Sequence, residues 1–377
     1  MYHTNIDIFF DSGSGGSQLL IPQLFTGFFG KTGNPKEPCN NLIIKHITAT
    51  TTAVHLYLYT MKTLFIALIL VLGTQVKDSL NVMFWNLENF FDYRNDSTSV
   101  SDADFSPRGS RRWTKKRFYA KCNAVAKGIL WTSALKGAVP DVIGLAEIEN
   151  SFVLRRLVQA TVLRKLDYRI IHFDSPDRRG IDVALLYRGL KPLDSHPAHL
   201  FNADSTVMPT RDILVATFIG QEGDTIALLV NHHPSKFGGA AASETRRNIA
   251  VERLRQLADS LQTLGIQNII AMGDFNDTPA NPVFHKLEPA LWNKAEQFYK
   301  RGDGTIKYAG KWELIDIFFT SPAINNAEMD IIYIPFLQTH DKAATGTKPL
   351  RTYSGPRYLG GVSDHCPIWL SVNSDVK

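Results

Sequence analysis

The chain has 377 residues, a net charge of +5, and 44% hydrophobic and 11% aromatic residues. This composition excludes wholesale disorder and supplies a filled core, either of two domains or of one large α/β sandwich. Residues 1–75 hold four Lys against three Asp and Glu, so the remainder carries +4 (5 − 1); a mildly basic balance suits a polyanionic substrate and equally an ordinary solvated surface.

Residues 1–60 read as a poorly ordered upstream extension: Asp11 to Ser17 resembles a linker, and four Thr fall between Thr48 and Thr52. Met61-Lys62-Thr63 is followed by the apolar run Leu64 to Leu72 and Gly73. A short basic region, an apolar run and small residues beyond it are the parts of a secretory signal peptide, here 61–75, with Val71 and Gly73 at the −3 and −1 positions of a cleavage site. A signal works only near a true N-terminus, so Met61 is expected to be the start and the mature protein secreted or periplasmic. The alternative makes residues 54–72 a membrane anchor, although Thr60, Lys62 and Thr63 interrupt it.

From Leu80 onward strands alternate with helices, over an expected domain at 78–374. Leu80 to Trp85 is a short apolar strand. Lys115 to Leu130 places Phe118, Cys122, Val125, Ala126 and Ile129 at helical spacing. Val142 to Ala146 predicts a buried strand, Phe152 to Val162 a helix, and Ile181 to Tyr187, Ile213 to Ile219 and Thr225 to Val230 three further strands. Ser243 to Leu264 is a long amphipathic helix ended by Gly265. Ile269 to Met272, Trp312 to Phe319 and Ile368 to Val372 complete the strand set. Ser97 to Arg112 and Asp341 to Gly361 read as long, partly basic loops, a place where function is often found. Cys39, Cys122 and Cys366 form no Cys-x-x-Cys pair, which argues against a zinc ribbon or a thioredoxin-like motif. Cys122 and Cys366 are expected to be buried thiols, with a disulfide between them the alternative in an exported protein.

Polar residues gather where these strands stop: Asn86, Glu147, His233, Asp274 with Asn276, Asp316, and Asp364-His365. One polar group at a strand end is ordinarily a cap or a turn former. Six acid, amide and imidazole sites repeating the pattern point to an assembled site, because strand ends of layered α/β proteins carry catalytic groups. In Gly273-Asp274-Phe275-Asn276-Asp277 a carboxylate that can take a proton stands two residues from an amide that can only hydrogen-bond. That division suits attack of water on a phosphate ester.

The pieces Phe84-Trp85-Asn86, Gly144-Leu145-Ala146-Glu147, Val230-Asn231-His232-His233, Gly273-Asp274-Phe275-Asn276, Leu314-Ile315-Asp316 and Ser363-Asp364-His365, in this order, resemble the endonuclease/exonuclease/phosphatase superfamily, also called deoxyribonuclease-I-like. Ala146 stands where that superfamily often has Gln, a departure that leaves the glutamate in place. The resemblance implies a four-layer α/β/β/α sandwich and a hydrolase of phosphate esters that uses Mg²⁺, or Mn²⁺. It implies that Glu147 binds the metal with help from Asn86 and Asp364. Zinc is disfavoured, since there is neither His-Glu-x-x-His nor a Cys cluster.

Asp274 is the expected base for water, and Asn276 would hold that aspartate or the phosphate. Asp316 would orient His365, raising its basicity and fixing its tautomer so that it donates to a phosphate oxygen. His233 is chosen over His232 as the group that helps protonate the leaving oxygen, on the match to the superfamily and on strand alternation. Arg179, Arg211 and Lys236 are candidates for holding phosphate; Asp182 is expected to orient His233, to extend the metal site or to pair with Arg179. The expected substrate is a nucleic acid, with sphingomyelin or an inositol phosphate as alternatives on the same site and a non-catalytic phosphate-binding protein as the alternative of another class. No stable protein partner is implied, and a monomer is expected. Trp113 is expected either to meet lipid or to pack internally.

Overall fold

A computed structural model describes residues 79–95, 101–219, 223–236 and 240–373. The chain divides into units of residues 1–65 and 66–377, and the described residues all belong to the second. The expectations for residues 1–60, the 61–75 signal, the 54–72 anchor and Cys39 therefore fall outside the described residues. Among the described residues no helix is long and apolar enough to cross a membrane.

Two six-stranded sheets form the centre. The first contains β1 (Ser79–Phe90), β2 (Val142–Ile148), β3 (Arg169–His172) and β4 (Asp182–Tyr187). The second contains β5 (Lys191–Ala198), β6 (Ile213–Ile219), β7 (Thr225–His232), β8 (Asn268–Asp274), β9 (Trp292–Asn293) and β10 (Asp316–Thr320). The chain then returns to the first sheet through β11 (Ala327–Ile331) and β12 (Ile368–Asn373). The orders are β11-β12-β1-β2-β4-β3 and β5-β6-β7-β8-β10-β9. Each sheet has one parallel pair, β1 with β2 and β7 with β8, and antiparallel neighbours around it.

Helix α1 (Lys115–Lys136) buries Phe118, Cys122, Val125 and Ile129, and α2 (Ser151–Gln159) buries Val153, Leu154 and Leu157. Both pack on the outward residues Met83, Trp85, Ile143 and Leu145 of the first sheet. Thr114 caps the start of α1 by accepting from the Arg117 N–H, and Gly137, at φ 67°, ends it in the left-handed conformation that glycine adopts freely. Helix α3 (Ala240–Thr263) buries Val251, Leu254 and Ala258 in the larger core, which also holds the inter-sheet residues Val82, Phe84, Leu228, Val230, Ile270 and Met272. The layers run helix, sheet, sheet, helix, the expected α/β/β/α sandwich. A Cβ on Gly144 would lie 2.6 Å from Met272 Sδ, so this glycine lets the two sheets close on each other.

Sequence patterning locates these elements within a few residues, with three differences. The run from Trp312 to Phe319 is two strands: Lys311–Glu313 pairs as a hairpin with Ile306–Tyr308, and β10 begins only at Asp316. The break is held by Thr305, whose hydroxyl lies 3.4 Å from the N–H groups of both Ile315 and Asp316. Strands β3, β5, β9 and β11 have no counterpart in the sequence reading; β5 is largely exposed and polar, so it lacks the apolar run that marks a buried strand, and β9 is only two residues long. The two long loops pack on each other: Arg111 donates to the Gly355 carbonyl, Tyr353 Oη donates to the Arg111 carbonyl, and the Phe105 and Tyr353 rings meet edge to face. Trp113 is fully buried there, its indole N–H donating to the Phe91 carbonyl, which removes it as a surface for lipid. Cys122 and Cys366 are both free and buried.

Candidate active site

The strand directions explain why distant residues meet. β1, β2, β7 and β8 bring their C-terminal ends to one rim of the sandwich. β10 runs antiparallel to β8, so its first residue, Asp316, pairs with the last of β8, Asp274. β12 runs antiparallel to β1, so the turn before it arrives beside the end of β1. That turn is fixed by Ser363, whose hydroxyl donates to the Asn86 carbonyl and accepts from the His365 N–H, and by the Trp85 indole, which donates to the His365 carbonyl.

The polar groups form one continuous cluster. Asn86 donates from Nδ2 to Asp274 Oδ2 at 3.0 Å and reaches Glu147 Oε1 at 3.5 Å. His365 Nδ1 lies 2.8 Å from Asp316 Oδ2, and its Nε2 lies 3.8 Å from both Asp274 Oδ2 and Asp364 Oδ1. His232 Nε2 lies 3.6 Å from Asp274 Oδ2 and 3.9 Å from Glu147 Oε1. Asn276 holds Asp274 through its backbone N–H, which donates to Oδ1 at 2.9 Å, while its side chain donates to the His233 carbonyl. Gly273 makes this possible: a Cβ there would lie 2.3 Å from the Asn231 carbonyl oxygen, so only glycine lets β8 run this close to β7. Glu147 and Asn276 have φ of 62° and 51°, and Glu88 and Asn89 have 47° and 49°. Half of the eight non-glycine residues with positive φ among the described residues thus line this rim, where backbone strain is typically retained for function.

Electrostatics divide the labour. Burial alone would lower His365, but Asp316, Asp274 and Asp364 surround it and hold it protonated well above the ordinary imidazole range. Burial, with the Asp316 charge adding, pushes the Asp274 carboxyl up to about 7 against the opposing His365 charge. Burial and the nearby Arg211 and Arg179 keep His232 neutral, well below its ordinary value.

The structure corrects the choice between the adjacent histidines. His232, not His233, enters the cluster. In the parallel register His232 pairs with Asp274 and Val230 with Met272, and paired residues share a face. Met272 faces the other sheet, so Asp274 and His232 do as well. His233 points the opposite way, 4.7 Å ring to ring from Phe275, with no partner on either ring nitrogen and a value pushed by burial down to about 3. The alternation argument is sound, but it needs the register to say which of the two faces inward.

Two other expectations change. Arg211 is buried and committed: it pairs with Asp177 at 3.0 Å and donates to the carbonyls of His232 and His233, so it braces the β7 end rather than holding phosphate. Asp182 neither meets His233 nor pairs with Arg179; it accepts from Ser175 and lies 3.3 Å from His172 Nε2. Lys236 is half exposed at the rim, 3.9 Å from Asp277 and from Glu313. Arg179 is partly exposed, 3.8 Å from Asp177.

Glu88 escapes the sequence reading, and Arg351 enters it only as one of the basic residues of the Asp341 to Gly361 loop. Glu88, two residues after Asn86, is buried, accepts from the Thr352 N–H and pairs with Arg351 at 2.8 Å. Arg351 also binds Asp364 Oδ2 at 3.0 Å. A long loop thereby reaches the centre, which only the spacing of Glu88 from Asn86 could have hinted at. Beside these residues lies a cleft of about 130 Å³ lined by Glu88, Asn89, Arg111, Arg351 and Tyr353, among others.

The oxygen donors fit a hard divalent cation. Glu147 Oε1 has only long contacts, 3.5 Å to Asn86 and 3.9 Å to His232, and Asp364 Oδ1 faces His365 at 3.8 Å, so each retains a carboxylate oxygen open to a ligand bond. Asn86 stands between them as a bridge to Asp274, with its Oδ1 accepting from the Glu88 N–H.

A layered sandwich that gathers two histidines and several carboxylates at one rim defines a phosphoesterase of the α/β/β/α type. The chain belongs to the Endonuclease/Exonuclease/phosphatase family, whose model matches residues 81–374. Members of this family use divalent metals. Among solved structures, truncated Caenorhabditis elegans TDP2 is 13% identical with a TM-score of 0.51, over 78% of this chain and 98% of that one. An endonuclease/exonuclease/phosphatase family protein from Bacteroides thetaiotaomicron is 15% identical with a TM-score of 0.49, over 79% and 99%. The human Nocturnin catalytic domain is 17% identical with a TM-score of 0.46, over 79% and 95%. No curated protein sequence matches the chain.

Proposed function

We propose that this protein is a Mg²⁺-dependent nuclease that hydrolyses nucleic-acid phosphodiesters with an activated water. The observation that carries the reading is Asp274, whose Oδ2 lies within 4 Å of both His232 and His365 while its backbone and amide neighbours fix its position. A base pushed up to about 7 matches proton abstraction near neutral pH. Asp274 takes the proton from water. His365, kept protonated and oriented by Asp316, donates to a phosphoryl oxygen and offsets its charge. His232, neutral and 3.6 Å from Asp274, donates a hydrogen bond to the departing oxygen, which takes its proton from solvent while Asp274 gives up the one it accepted from water. Glu147 and Asp364, with Asn86 ordering them, would hold Mg²⁺, which when bound neutralises charge on the phosphate. Mn²⁺ suits the same oxygen donors.

The cleft lined by Arg111 and Arg351 favours a substrate with further phosphates along it, as a polynucleotide has. The decisive test is hydrolysis of plasmid DNA, RNA, sphingomyelin and inositol phosphates with Mg²⁺ and with EDTA. Turnover of DNA or RNA that EDTA abolishes is expected; turnover of the lipid or the inositol phosphate alone would overturn the nucleic-acid reading. We also infer that Met61 is the start, that residues 61–75 are removed on export, and that the domain acts as a monomer. N-terminal sequencing of the mature protein tests the first two, and sedimentation tests the third.

A further inference from the structure

A second cluster of ligand-type side chains lies outside the catalytic rim. His172 ends β3, Asp182 opens β4, and Asp174 lies in the connection between them. One ligand atom from each lies within 4.8 Å of the others. Two details set the cluster apart from an ordinary ion pair. The His172 side chain is only 4% exposed, yet its Nε2 has no hydrogen-bond partner; it faces Asp182 Oδ2 at 3.3 Å without the alignment of a hydrogen bond. Two ligands on one tetrahedral ion at about 2.0–2.1 Å stand about 3.3 Å apart, which is the spacing seen here. The Asp182 carboxylate is also turned for this task, because both the N–H and the hydroxyl of Ser175 donate to Oδ1 and leave Oδ2 to the imidazole.

We propose that His172, Asp174 and Asp182 bind a borderline divalent cation, Mn²⁺ or Zn²⁺, at a site separate from the catalytic one. One imidazole and two carboxylates favour such an ion over Mg²⁺, which takes oxygen ligands alone. The buried Asp182 gains the positive partner that a carboxylate removed from water requires. Asp174 is 90% exposed and stands 3.9 Å from the other ring nitrogen, Nδ1, so its side chain must swing across to reach an ion held at Nε2. The ion would tie the two ends of the β3–β4 connection together. That connection carries Asp177, which holds Arg211, which in turn holds the carbonyls of His232 and His233. The site is therefore placed to stiffen the support of a catalytic histidine.

The test uses Mn²⁺ counted by electron paramagnetic resonance in a full-length Glu147→Gln/Asp364→Asn variant, whose catalytic carboxylates are neutralised. One Mn²⁺ per chain is expected to remain, and His172→Asn in that background is expected to abolish it. Asp174→Asn, a change at an exposed residue that leaves the fold intact, is expected to weaken it at least about tenfold, as loss of one charged ligand does. If the neutralised variant binds no Mn²⁺, or binds it equally well after both further substitutions, the site does not exist. Because the readout is ion binding, this result is independent of whether the substrate is a nucleic acid.

Discussion

His365 Nδ1 sits 2.8 Å from Asp316 Oδ2, a contact made across the join between the two sheets, with one partner opening β10 and the other preceding β12. The carboxylate fixes which ring nitrogen carries the inward proton and stabilises the imidazolium. Asp316→Asn is expected to keep the fold and lower kcat by about 10²–10⁴, as loss of an oriented acid–base group does. Removing the Asp316 charge also withdraws part of what raises His365, so the alkaline limb of the pH–rate profile should move to lower pH. A profile whose alkaline limb stays in place would show that Asp316 does not govern His365.

Asp274 supplies the acidic limb. Its carboxyl is pushed up to about 7, chiefly by burial, and it works as a base only when deprotonated. Activity should therefore climb about tenfold per pH unit below 7 and level off above it. Asp274→Asn should abolish hydrolysis while leaving the thermal transition cooperative. Steady-state rates across pH 5 to 9 with saturating Mg²⁺ check the limb, and retained full activity in the variant would refute the base assignment.

How far the sequence reaches is visible at particular residues. Asp274, Asp316, His365 and Glu147 are legible because each interrupts or ends an apolar run, and a charged group in that position is costly unless it meets partners. The β7 end is not legible to the residue, because His232-His233 offers two imidazoles and only the pairing with β8 decides between them. Arg211 reads as a free cation in one dimension; its carbonyl partners lie 21 and 22 residues away in sequence. Arg351 and Glu88, 263 residues apart, meet only because a loop folds back over the β1 end. Local periodicity marks the strands and helices and the superfamily resemblance implies their four-layer stacking, whereas these roles depend on contacts that neither encodes.

The adjacent histidines separate catalysis from stability. His232→Gln, which keeps a polar side chain of similar size in the buried site, should lower kcat by about 10²–10⁴ with little change in unfolding midpoint. His233→Ala should leave kcat within a few-fold but destabilise by about 2–4 kcal/mol, since it removes a buried ring packed on Phe275. Urea unfolding and initial rates on the same two variants decide the matter, and the reverse pattern would restore His233 to the site.

Lys121 is fully buried beneath the site, donating to the Glu88 carbonyl and to Thr352 Oγ1. Burial pushes Lys121 down to about 8 and Glu88 up to about 7, each partly relieved by the other's charge. The folded protein thus releases the Lys121 proton before the unfolded chain does, whose lysine keeps its ordinary value of 10.5. Between about pH 8 and 10.5 the unfolded state binds more protons, so this group's contribution to stability rises with pH. Lys121→Met should remove that rise. At pH 7 it should also cost on the order of 3–5 kcal/mol, because Glu88 loses its one buried cationic neighbour and keeps only the half-exposed Arg351. Adding Glu88→Gln should recover part of that loss, because the burdened carboxylate is then gone. Urea denaturation of the single and double variants from pH 6 to 10 measures both effects, and strictly additive losses would show that Lys121 and Glu88 do not act as a pair.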